Sequence, residues 1–295
     1  MKKFGSFILL ISLIMTCGCR EGMNRLPNST TRPYEVILSG DSADTIRKAL
    51  MTDVEGLPQP EPNFDVRTIK PANLKGNMLY ARAIVIYSHD HDTICHYRLN
   101  VHAEPQIIIE VNAHNIKSAM RYLQAFEAEQ QVVQLRRHRN REMERMIQKK
   151  LGIRMTIPVE MTSSKVRKDF VWLSNNDALK MKNLCIMRIN APTVEAIDSM
   201  LARNIKGETD AMYMQLTTAT LHEEEEHHGE QHLYGLWDMK GDAMGGPFEA
   251  RIVPQGNHYI AMLTFAYAPQ TKKRNIMRQL HAVIYNKYIT YGRKQ

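Results

Sequence analysis

From Tyr34 onward the chain is written in short runs of β-branched and aromatic residues, separated by turn formers, with only a few stretches of helical period. Residues 34–38 (YEVIL), 64–69, 80–87, 94–102 and 106–112 read as strands in the first half. Residues 153–160, 170–173, 184–189, 212–221, 234–239, 247–253 and 259–267 do so in the second. Helices are expected near 43–52 and over 114–150, where Ile116, Met120, Leu123, Val133 and Ile147 fall at helical spacing. Two more are expected, from Pro192 to about 204 and over about 271–288, with Gly152 and Gly207 as stops. This pattern predicts an α+β fold, mainly antiparallel sheets with helices packed on one face. Both halves end in strands followed by a helix. That suggests one α+β domain over 33–295, built of two related halves, 33–151 and 152–295, although they share little residue identity.

Composition permits such a core. Apolar residues make up 43% and charged residues 24%, which excludes a mostly disordered or collagen-like chain. A formal charge of +8 is too mild to define a partner. Four Cys in 295 residues are too few for a disulfide scaffold.

The first residues set the compartment. Lys2 and Lys3 precede an apolar run over 7–15 and then Thr16-Cys17-Gly18-Cys19. A short basic start, an apolar stretch and a small-residue site describe a secretory signal. The run is too short to span a bilayer, which takes roughly 20 apolar residues. The end of the run resembles a bacterial lipobox. Cys19 fits best as the lipidated residue, because Gly18 stands at the cleavage position; Cys17 is the alternative, and an ordinary cleaved signal the plainer one. Thr16 and Cys17 stand where a lipobox prefers Leu and Ala or Ser. The expectation is a signal peptide over 1–18, a lipidated Cys and polar tether over 19–32, and an outer-membrane lipoprotein of the cell envelope. The lipid anchor makes the membrane its first partner; whether it faces periplasm or exterior stays open. Losing Lys2 and Lys3 lowers the formal charge from +8 to +6 and leaves Cys95 and Cys185. These two thiols either pair in an oxidising compartment or stay buried and free.

The C-terminal third carries the most distinctive text: Tyr234-Gly235-Leu236-Trp237, Gly241-Asp242-Ala243-Met244-Gly245-Gly246-Pro247-Phe248, Tyr267-Ala268-Pro269 and Lys272-Lys273-Arg274-Asn275-Ile276-Met277-Arg278-Gln279-Leu280. With Arg32-Pro33-Tyr34-Glu35-Val36 and Asn100-Val101-His102-Ala103-Glu104-Pro105-Gln106, this resembles an uncharacterised family of Bacteroidetes lipoproteins, domain of unknown function 4837. His102 departs from it, since the family has Trp there. The resemblance implies localisation and fold. It implies no mechanism, because the family has no assigned activity.

Several constellations invite chemistry. His222 and His227 flank four Glu, with His228 and His232 beyond. A zinc-protease helix needs HExxH; here the spacing is one residue longer, which turns the two rings about 140° apart on a helix. A polar loop is the simpler reading. His89-Asp90-His91-Asp92 lies between strands and reads as a hairpin turn. His89, His91, His227 and His232 are therefore weak metal candidates, and they carry the alternative function, a metal-assisted envelope hydrolase. Gly40-Asp41-Ser42 resembles the nucleophile block of SGNH-type esterases, but the chain holds no Asp-x-x-His to supply the base. Arg136, Arg137, Arg139, Arg141 and Arg145 crowd the long helix. Export argues against nucleic acid, and a solvated face competes with contacts to anionic lipid or glycan. Lys272, Lys273 and Arg274 open the last helix against its macrodipole, which calls for an anionic partner or a carboxylate from elsewhere, Asp242 being one candidate. Trp237, Asp242, Gly245, Gly246, Arg274 and Arg278 form the candidate binding patch. No complete catalytic set and no cofactor motif emerges. The reading is a non-catalytic binding or scaffolding module whose partner is an envelope protein or an anionic glycan or lipid.

Overall fold

The computed structural model describes residues 25–40, 44–90, 93–223 and 229–291. In the first half the chain forms β1 (Glu35–Ser39), α1 (Thr45–Leu50), β2 (Asp65–Ile69), β3 (Ala83–Tyr87), β4 (Tyr97–Leu99) and β5 (Ile107–Val111). These strands make one sheet in the order β2-β1-β3-β5-β4. In this smaller sheet β2, β1, β3 and β5 run parallel, and only β4 is antiparallel. The reason is in the strands themselves. AIVIY and IIIEV are near-continuous apolar runs, and a strand buried on both faces belongs to a covered, parallel sheet. Val36, Leu38, Val85 and Ile109 pack under the helices, while Ile37, Ile84 and Ile108 face the other side.

The expected single helix over 114–150 is two: α2 (Ile116–Arg137) and α3 (Arg141–Leu151). Asn140 makes the break. Its backbone N–H donates to the Ile157 carbonyl at 2.7 Å, its side-chain amide donates to the Met161 carbonyl, and its Oδ1 accepts from Met143 N as the cap of α3. Gly152 ends α3 with φ 75°.

The second half adds β6 (Ile153–Arg154), β7 (Ser163–Val166), β8 (Phe170–Ser174), β9 (Met181–Ile189), α4 (Val194–Asn204), β10 (Met214–Glu223), β11 (Gln231–Met239), β12 (Gly245–Gln255), β13 (His258–Tyr267), α5 (Arg274–Ile284) and β14 (Thr290–Tyr291). Seven strands form an antiparallel sheet in the order β10-β11-β12-β13-β9-β8-β7, and β14 pairs with β6. The fold is α+β, with its larger sheet antiparallel. Helices cover this sheet on both faces instead of one. Cys185, Met187, Ala261 and Leu263 meet Ile197 and Leu201 of α4; Leu184, Ile186 and Met262 meet Met277 and Leu280 of α5. The unbroken apolar run in β9 requires this double cover. The first half thus carries a mostly parallel sheet and the second an antiparallel one. Cys95 and Cys185 are free and buried.

Two contacts matter later. Residues 27–31 lie against the first half: Glu104 N donates to the Pro27 carbonyl, Thr30 N to the Tyr80 carbonyl, and Arg82 N to Thr31 Oγ1. The halves are clamped where α5 begins. Glu61 caps that helix from the first half, accepting from Lys273 N at 2.7 Å and Arg274 N at 3.0 Å.

Candidate functional site

The outer strands of the large sheet alternate. Leu233, Gly235 and Trp237 of β11 point into the α4 core, so His232 and Tyr234 point to the α5 side. Glu249 of β12 sits opposite Tyr234 in register, on that same side. On α5, Arg274, Met277, Arg278 and His281 follow at three- and four-residue steps and so share a face. These two faces, with residues 54–57 as a third wall, enclose a cleft of about 420 Å³. Gly56 lets that wall seat, since a Cβ there would come within 2.8 Å of the Tyr234 ring and its φ is 76°.

Glu249 is the centre of the cleft. Its Oε1 lies 2.8 Å from His232 Nε2 and 2.6 Å from His281 Nδ1. Burial by itself would raise the Glu249 carboxyl. The charge and hydrogen bond of His281, with those of His232, outweigh it and hold the group well below the usual carboxylate range. An ionised carboxylate only accepts hydrogen bonds, so both facing nitrogens carry hydrogen. The other ring nitrogens, Nδ1 of His232 and Nε2 of His281, take no part in these two bonds. The ring of His281 is stacked on Tyr285 at 4.6 Å, and His232 meets Tyr285 edge-on at 5.4 Å. Beside them, Tyr234 donates its hydroxyl to Glu55 Oε2 at 2.6 Å, a bond that raises the phenol above its ordinary value. His222 stacks on the same ring, 5.7 Å away.

The two arginines of the expected patch reach this region in different ways. Arg274 is 3% exposed and spent inside the protein: it donates to Asp65 Oδ2 at 2.7 Å and to the Pro62 carbonyl at 2.6 Å. Arg278 donates to Asn63 Oδ1 at 2.9 Å, while its buried Nε has no hydrogen-bond partner. The basic opening of α5 is thus answered by Glu61 and Asp65. Asp242 lies in the exposed turn after β11, where its Oδ1 accepts from Ala243 N. Trp237 is buried, donates Nε1 to the Ala266 carbonyl at 3.2 Å and stands edge-on to Phe265. Gly246 pairs with Trp237, and a Cβ on it would meet the Ala266 oxygen at 2.2 Å. Gly245 and Gly246 therefore make room for the strand pair holding Trp237, away from Arg274 and Arg278 on α5.

Of the metal candidates, His89 follows β3 in the first half, edge-on to Tyr87, and His232 lies in the cleft. His91 and His227 fall outside the described residues, as do Cys19, Asp41 and Ser42. Among the described residues no three His, Cys, Asp or Glu side chains come together in a way that would hold a metal ion. No described helix is long and apolar enough to cross a membrane. The sequence reading missed Glu249, His281, Tyr234 and Glu55. One signal was available: His232 and Tyr234 share a strand face, and His281 continues the Arg274–Arg278 helix face.

Residues 140–286 match the family model described as Domain of unknown function (DUF4837), and residues 34–150 match a second, also described as Domain of unknown function (DUF8532). No curated protein matches the sequence. Among solved structures the chain is similar to the Ran-binding protein Mog1p of Saccharomyces cerevisiae, at 8% identity and a TM-score of 0.26, over 45% of this chain and 79% of that one.

Proposed function

We propose that this chain, whose residues 140–286 belong to the DUF4837 family, is a lipid-anchored cell-envelope protein that binds a hydroxyl-rich ligand of glycan type in the α5 cleft. The observation that carries the reading is the fixed set of donors and acceptors around Glu249. A sugar hydroxyl both donates and accepts. The cleft offers carboxylate oxygens on Glu55 and Glu249, ring nitrogens on His232 and His281, and the guanidinium of Arg278. Tyr234 and Leu57 add partly exposed apolar surface for a sugar face. The anchor rests on Lys2, Lys3, the apolar run over 7–15 and Cys19.

Two experiments test the halves of this reading. Cys19→Ala should abolish incorporation of labelled fatty acid and release the protein from membranes; labelling that persists overturns the anchor on Cys19. Titration of the full chain with a panel of envelope-glycan fragments should give a ligand whose affinity falls at least tenfold in Glu249→Gln and in Arg278→Gln. Binding indifferent to both variants would place the ligand elsewhere.

A further inference from the structure

A second cavity, of about 410 Å³, lies where α2, α3 and β6 meet, apart from the α5 cleft. Arg136, Arg139, Arg141, Arg145 and Arg154 all line it. This is more than the solvated face of one helix. Arg136 comes from the last turn of α2 and Arg139 from the corner that Asn140 fixes. Arg141 and Arg145 are one turn apart on α3, with Gln148 next on the same face. Arg154 arrives from β6, held by its pairing with Thr290 of β14. Buried Met155 and Thr156 complete the lining.

The charge in this cavity is uncompensated. Its lining holds one acid, Glu144, and that side chain is already used: Oε2 pairs with Arg139 at 3.0 Å and Oε1 accepts from Ile157 N. Arg136 is laid over the Tyr288 ring at 4.1 Å, which orients its guanidinium without neutralising it. Among the described residues, Arg141, Arg145 and Arg154 have no ion pair. Four cations around one small cavity repel each other, and an anion relieves that repulsion. The residue type narrows the anion. Every cation in the lining is Arg, while Lys149 and Lys150 of the same helix stay outside it. A planar fork pairs two oxygens at once and matches phosphate geometry; an ammonium does not.

We propose that this cavity binds a ligand carrying closely spaced phosphoryl groups, a diphosphate in the simplest case. A diphosphate has enough oxygens and negative charge for several forks at once. The same chemistry is presented by a soluble phosphate compound and by a phospholipid headgroup. The site is independent of the α5 cleft and of its proposed ligand.

The test is calorimetric titration of the full chain, in neutral detergent, with inorganic pyrophosphate. The expected result is one site per chain that weakens several-fold between about 50 and 200 mM salt. Arg141→Gln with Arg145→Gln should lower affinity at least tenfold. Lys149→Gln with Lys150→Gln removes the same charge from the same helix outside the lining, and should change it less than twofold. Arg154→Gln, on a different element, should weaken binding as well, and carries the test if the double variant does not fold. Competition with short-chain phosphatidic acid separates the sources: displacement of pyrophosphate identifies a lipid headgroup, and failure to displace it a soluble phosphate ligand. Absence of pyrophosphate binding would overturn the proposal. Equal losses in the arginine and lysine variants would overturn it too.

Discussion

Glu61→Gln is the most informative single change in the fold. Glu61 is 4% exposed, and its two oxygens accept the first backbone N–H groups of α5, from Lys273 at 2.7 Å and Arg274 at 3.0 Å. The helix needs this. No acid stands in its own first turn, and three cations crowd its start. Glutamine keeps the shape but turns one acceptor oxygen into an NH₂ group facing an N–H. One charge-assisted hydrogen bond, contributing about 1.5–3 kcal/mol, is then lost, and the other falls to roughly 1 kcal/mol as a neutral bond. The lost carboxylate charge also removes about 0.3–1 kcal/mol of helix-dipole stabilisation. The combined loss comes to about 2–6 kcal/mol, which for a protein of this size lowers the melting temperature by roughly 5–24 °C. Chemical denaturation of wild type and variant, followed by the fluorescence of Trp172 and Trp237, measures it. Asp65→Asn serves as the contrast. That carboxylate pairs with Arg274 but is 42% exposed, so its loss should cost less than about 1 kcal/mol. The reasoning fails if Glu61→Gln costs no more than Asp65→Asn.

The cleft carboxylate has a pH signature. Because Glu249 is held below its ordinary 4.5, the stability it contributes is complete above that pH and is lost as pH falls through the lower folded value. Wild type should therefore lose melting temperature below about 4.5 more steeply than Glu249→Gln, and parallel slopes would refute this. At the other extreme, burial pushes the phenols of Tyr34 and Tyr291 up to about 12. Their stabilisation holds below pH 10 and disappears as pH rises through 12. Tyrosinate absorbance should show a late component that Tyr34→Phe reduces; a titration finished near pH 10 would sink the idea. Gly246→Ala should destabilise by about 3 kcal/mol or more, because the new methyl meets the Ala266 oxygen that accepts from Trp237. Unchanged stability and Trp emission would contradict that packing.

Strand and helix positions were largely legible in the sequence because most of these elements bury one face or both. The helix over 192–204 begins one residue past the Thr193 cap. Strand direction was harder to read. Periodicity alone does not separate a parallel strand from an antiparallel one, though the unbroken IIIEV and AIVIY runs point to burial on both faces. The Asn140 break was hidden because its partners, Ile157 and Met161, lie beyond the helix. The cleft fared similarly. His232, Glu249 and His281 come from two strands and a helix, and only their register and packing place them around one oxygen. An Arg-rich helix end was visible, but the arrival of Arg154 beside it depends on β6 and is long-range information.

The docking of residues 27–31 on the first half sets a reach. If Cys19 is acylated, eight peptide steps separate it from Pro27, a leash of at most about 30 Å when fully drawn out. A body on so short a leash explores only a thin shell over the bilayer. Whatever enters the α5 cleft or the arginine-lined cavity would have to be found within that shell, as a membrane component or as something passing close to the membrane face.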